Sequence, residues 1–136
     1  VGHNPDMPGV EPAAGWDDLK TKLAAHRFLV HTADPELEDG FNMAVMEALA
    51  AGLAVVGNAH PTSPLVHGES ALLSNDPWEL RRLARRLLED RALAAQLGAA
   101  GQKLVRERFS RLRWVDGMNR ALEKATARWH VRDGHG

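Results

Sequence analysis

The 136-residue chain has no cysteine. That excludes a disulfide framework and thiolate chemistry, and suits a reducing compartment. Neither sign of charge is in excess: 17 Lys and Arg stand against 18 Asp and Glu, a formal net charge of -1. Without a basic surface or a long run of one sign, nothing electrostatic directs the chain to nucleic acid or an anionic membrane. Long apolar runs are missing too. The longest, Met43 to Val56, is broken by Glu47 and Gly52 and falls short of the roughly 20 residues that a membrane-crossing helix needs. No signal-peptide pattern opens the chain, so a soluble, cytoplasmic protein is expected. Histidines number seven, yet no His-x3-His or His-Glu helix pattern occurs, and His60 and His67 share a loop without a ligand set, so no metal is called for. Ser63 beside His60 lacks a Gly-x-Ser-x-Gly elbow, which removes a Ser-His-Asp reading.

What is present suffices for one compact core, with 44% hydrophobic residues. The chain opens on Val1, and "VGHNPDMPG" has the pattern of a strand end followed by a Pro/Gly turn, as in a piece of something longer. Asp17 is a candidate N-cap for a helix carrying Leu19 and Leu23. "RFLVHT" (27–32) predicts a buried strand, a helix is predicted from about Asn42 to Ala51 with Gly52 as its stop, and "LAVVG" predicts a second buried strand. Uniformly apolar strands alternating with helices argue for a parallel sheet covered on both faces. A short strand near "ALLS" precedes "NDPWE", where Asp76, Pro77 and Glu79 form a strong helix start. That helix sets Leu80, Leu83, Leu87 and Leu88 on one face, and its four arginines belong to a solvated side, not to a nucleic-acid surface. Helices are further predicted from Arg91 to Arg108 and, with Ser110 as N-cap, from Arg111 to Trp129. The division is an α/β core over 1–109, followed by a C-terminal helix and tail over 110–136. The four tryptophans fit packing positions at segment junctions; Trp114 and Trp129 could instead cover a surface meant for another domain.

In such a sheet, ligands bind beyond the carboxyl ends of the strands. Two loops hold that position, "ADPELEDGFN" and "NAHPTSP". In the first, Gly40 permits close backbone approach, Asn42 can cap the helix, and the N–H groups near 41–44 suit a phosphate. In the second, His60, Thr62 and Ser63 are candidate substrate contacts, His60 having water as its alternative partner. His31, at a strand end beside the acidic loop, has Asp34 and Glu36 as alternative partners. Glu47 follows the helix start by a little over one turn, beside a stripe of Ala44, Ala48 and Ala51 that would let the helix lie close to the sheet. Its carboxylate can accept from a pair of vicinal hydroxyls, or it can simply reach solvent.

The segments "EDGFNMAVMEALAAG", "LAVVG", "PLVHGESALLS" and "DPWELRRLARRLLEDRALAAQLGAAGQKLVRERFS", in this order, resemble the C-terminal, nucleotide-sugar-binding domain of retaining GT-B glycosyltransferases (glycosyl transferases group 1, family 4-like). The resemblance covers about residues 15 to 120. It implies a Rossmann-like parallel sheet flanked by helices, the C-terminal half of a GT-B fold truncated at its N-terminus. It further implies that Glu47 binds the donor ribose and that the backbone of Gly40, Phe41, Asn42 and Met43 holds the diphosphate. The family's catalytic carboxylate corresponds to Asp39, with Glu38 beside it as the alternative. Its partners would be a nucleotide diphosphate sugar and an N-terminal acceptor-binding domain, with no metal and no cofactor. Lacking that domain and the Arg/Lys pair that neutralises the diphosphate, the isolated chain is expected to be inactive, and an exposed sheet edge could pair it into a homodimer. Two rival readings are a non-catalytic Rossmann-like interaction module and a GT-B-fold sugar-nucleotide epimerase.

Overall fold

The computed structural model describes residues 8–9, 11–34 and 41–133, with side chains up to 129. Among the described residues, five helices and three strands follow in the order α1 (Trp16–Ala25), β1 (Phe28–His31), α2 (Met43–Ala50), β2 (Ala54–Gly57), β3 (Leu72–Leu73), α3 (Pro77–Glu89), α4 (Arg91–Arg108) and α5 (Arg111–Asp133). The strands form a parallel sheet in the order β1-β2-β3, with Phe28 opposite Ala54, His31 opposite Gly57 and Gly57 also opposite Leu73. This register brings the carboxyl ends of all three strands to one edge. The architecture is a small parallel α/β sheet flanked by helices, consistent with a Rossmann-like fold.

Strand side chains alternate between two layers. Ala54 and Val56 of β2 pack with Leu72 beneath α3 and α4, through Leu80, Leu83, Leu87, Ala94 and Leu97. Val55 points to the other face, where it meets Val45 and Leu49 of α2 and Ala71. All four residues of β2 are buried, as a central parallel strand requires. β1 differs from the expectation of a buried strand: Val30 is 50% exposed, because β1 stands at the edge of the sheet. Leu88 also lies outside the buried face of α3, since the helical spacing of Leu80, Leu83 and Leu87 turns the next residue toward solvent. Arg27 closes the end of α3 instead, donating to the carbonyls of Leu87 (3.4 Å) and Leu88 (2.9 Å).

The predicted stripe of Ala44, Ala48 and Ala51 is not the packed face of α2. Ala44 and Ala51 are exposed, and the helix buries Val45, Ala48 and Leu49. Close approach comes from α4: a Cβ on Gly98 would collide with the Gly52 carbonyl, and one on Gly101 with the Leu49 side chain. Gly52, at φ 86°, ends α2 in the left-handed conformation, and the Leu53 N–H then reaches back to the Ala48 carbonyl (2.9 Å). Asp76 caps α3 by accepting from the Glu79 N–H (2.9 Å). Asp17 does not cap α1, whose N-cap is Gly15; Asp18 fills the first turn, accepting from Lys22 and from the Ala14 N–H, both at 2.8 Å, which together hold its carboxyl below the usual aspartate range. The four tryptophans do not pack at junctions, since each is more than half exposed.

Candidate functional site

A shallow cleft opens at the carboxyl edge of the sheet. His31 and Ala33 line it from the end of β1, Gly57, Asn58, Ala59, His60 and Ser63 from the end of β2, and Leu65 and Leu73 from the segment around β3. Asn42 and Val45, at the start of α2, form its rim. The floor is apolar and the rim carries amides, imidazoles and a hydroxyl. Among the described residues that line it there is no Lys, Arg, Asp or Glu.

Two asparagines lock these loops together. Asn58 Oδ1 accepts from the Ala33 N–H (3.0 Å), and its Nδ2 donates to Asn75 Oδ1 (3.4 Å). Asn75 Oδ1 also accepts from the Ala59 N–H (2.9 Å), while the Ser74 N–H donates to the Gly57 carbonyl (3.0 Å). The loops after β1, β2 and β3 are thus joined by side-chain amides that satisfy backbone groups otherwise left open at strand ends. Gly57 is required where it stands, because a Cβ there would sit 2.7 Å from the His31 carbonyl oxygen. Sequence reasoning missed both asparagines. Their signal was their position, one residue beyond β2 and two beyond β3, which becomes visible only once the register is known.

Asn42 caps α2 as expected, and the cap occupies two of the helix donors. Its Oδ1 accepts from the N–H groups of Ala44 (2.9 Å) and Val45 (3.3 Å). The Met43 N–H has no partner among the described residues. Phe41 meets Phe109, at the end of α4, edge to face at 6.1 Å between ring centroids, tying the entry to α2 onto the far end of α4. Thr62 does not line the cleft directly but serves His60: its N–H lies 3.2 Å, and its Oγ1 2.9 Å, from His60 Nδ1. His67 is structural, its Nδ1 accepting from the Leu73 N–H (2.9 Å).

Glu47 stands five residues beyond Asn42, about 7 Å along the helix axis. It is half-buried, does not line the cleft, and its carboxylate has no hydrogen bond or ion pair among the described residues. Glu38, Asp39 and Gly40 lie outside the described residues. The fold therefore brings together His31, Asn42, His60 and Ser63, with Met43 and Thr62 adjacent. No three His, Asp or Glu gather into a metal-binding group among the described residues, and no helix there is long and apolar enough to cross a membrane.

A parallel sheet with its open cleft at the carboxyl ends of the strands, rimmed by a helix N-terminus, defines an α/β ligand-binding architecture. A profile of the family described as glycosyl transferase-like matches residues 9–119, most of the chain and the whole of this cleft; the chain belongs to that family. It is accordingly a transferase domain of glycosyl type. No curated protein and no solved structure matches it.

Proposed function

We propose that this chain is the donor-binding part of a retaining GT-B glycosyltransferase of the family 4 type. In this reading it moves a sugar from a nucleotide diphosphate sugar to an acceptor hydroxyl. The observation that carries the reading is the cleft itself: an apolar floor with polar rims, at the carboxyl ends of parallel strands, with the start of α2 on its edge. A diphosphate placed there meets the Met43 N–H and the positive end of the α2 dipole. It gains the Ala44 and Val45 N–H groups when the Asn42 carboxamide swings away. Glu47, one turn further along, accepts from the ribose hydroxyls, and Asp39, or Glu38, approaches the sugar. The bond from the anomeric carbon to the diphosphate oxygen breaks with its electron pair leaving on the diphosphate. The acceptor oxygen bonds to the same carbon as its proton passes to the departing diphosphate oxygen, and configuration is retained. The acceptor comes from a second domain, and the remaining counter-charge from an Arg/Lys pair outside this segment, so the isolated chain binds donor without turning it over.

Calorimetric titration of the chain with UDP-, GDP- and ADP-glucose tests the assignment. Glu47→Ala is expected to weaken the preferred donor by roughly tenfold to a hundredfold, the loss of two hydrogen bonds to a carboxylate. Unchanged affinity would remove the ribose role, and a wild-type chain that binds none of the three would remove the donor-binding reading.

A further inference from the structure

The loop after β2 sets a histidine against the cleft with its ring chemistry already decided. The Thr62 N–H lies 3.2 Å from His60 Nδ1, and a backbone N–H can only donate. Nδ1 therefore carries a lone pair, and the neutral ring holds its proton on Nε2. The Thr62 Oγ1 lies 2.9 Å from the same nitrogen. Both groups belong to one residue two positions on, and Pro61 between His60 and Thr62 restricts the loop, so the ring is held by its own chain segment.

The surroundings suit such a donor. His60 is half-buried, and its neighbours in the cleft wall include Ala59, Ser63, Leu65 and Leu73, none of them charged. A charged ligand oxygen would meet no fixed cation among the described residues of that wall, and burying it there would be costly. We propose that His60 is a specificity-determining donor of the cleft: its Nε2–H donates to an uncharged oxygen of the bound nucleotide sugar, a sugar hydroxyl or a base carbonyl, and not to the diphosphate. This rests on the donor-binding reading and names the kind of group that one wall recognises.

Two variants separate the two ring nitrogens. His60→Asn keeps an acceptor where Nδ1 was, so Thr62 retains its partner, but it has no donor at the Nε2 position. His60→Gln supplies an amide N–H near that position. Wild type and both variants are titrated with the tightest-binding of UDP-, GDP- and ADP-glucose, with the matching nucleoside diphosphate, and with pyrophosphate. The Asn variant is expected to bind the nucleotide sugar about threefold to tenfold more weakly, and the Gln variant to recover most of the loss. A loss confined to the nucleotide sugar assigns the sugar hydroxyl; an equal loss with the nucleoside diphosphate assigns the base carbonyl; pyrophosphate is unaffected in both cases. An Asn variant that binds like wild type, equal losses in both variants, or a drop in pyrophosphate affinity would each overturn the proposal. Nitrogen-15 NMR of the free chain reads the ring directly: the Nε2–H tautomer is expected, and an Nδ1–H tautomer overturns the proposal whatever the ligand data. A wild-type chain that binds none of UDP-, GDP- and ADP-glucose takes the donor-binding reading down with it, whereas the other failures leave that reading standing.

Discussion

Helices α4 and α5 follow one another in the chain, span 18 and 23 residues, and both interrupt apolar stretches with glycine. In α4 the side chains of Ala94 and Leu97 are sealed under the sheet, and Gly98 and Gly101 bring its backbone against the turn after α2 and against Leu49. In α5 every described side chain is exposed, including Leu122 at 58% and Trp114 at 64%, and a Cβ added at Gly117 would meet nothing within 4 Å. The same residue type thus has opposite consequences. A mid-helix glycine costs about 1 kcal/mol relative to alanine; Gly98 offsets that by letting two backbones touch, and Gly117 does not. Helical periodicity made both segments helices, but only α4 is built into the core that shapes the cleft.

Substitutions can break this contrast in order of size. Leu97→Ala removes a fully buried side chain from the layer under β2 and is expected to cost about 2 to 5 kcal/mol, seen as a lower urea midpoint. An unchanged midpoint would mean that α4 is not part of the core. Gly98→Ala should cost about 1 to 3 kcal/mol, because the obstacle is backbone and cannot rotate away, and overpacking outweighs the gain in helix propensity. A stabilised Gly98→Ala protein would show that α4 stands off from Gly52. Gly117→Ala has the smallest effect and the opposite sign: it should strengthen α5 by up to about 1 kcal/mol. Slower amide hydrogen exchange confined to α5 would report it, with the unfolding midpoint of the core unmoved. A destabilised Gly117→Ala protein would instead reveal a close neighbour at that position.

The elements with local signals were legible in advance. Asp76-Pro77 starts α3, α4 runs from Arg91 to Arg108, and Gly52 ends α2, because caps, proline and positive φ act within a turn of the residue that carries them. Readings that depended on neighbours far along the chain fared differently. The alanines of α2 looked like its packing stripe, but which helix face is buried depends on where α4 lies, and Val45, Ala48 and Leu49 took that place. The tryptophans looked like junction packing, yet a large apolar side chain is buried only where another element arrives to cover it. In the cleft, Asn42 was legible as a helix cap, whereas Asn58 and Asn75 became partners only through the parallel register of β2 and β3.

The residues alone determined the alternation of short apolar strands with amphipathic helices, the caps that bound them, and the two loops where a ligand could sit. They carried this because hydrophobic period and turn chemistry are local properties. The tertiary structure decided that Val30 stands exposed on the outermost described strand, that glycines of α4 let it approach α2, and that Asn58 and Asn75 stitch the three strand ends into one wall. It also placed Thr62 beside His60, with its N–H 3.2 Å from Nδ1. Burial and hydrogen bonding depend on which distant segments meet, and that is settled by packing.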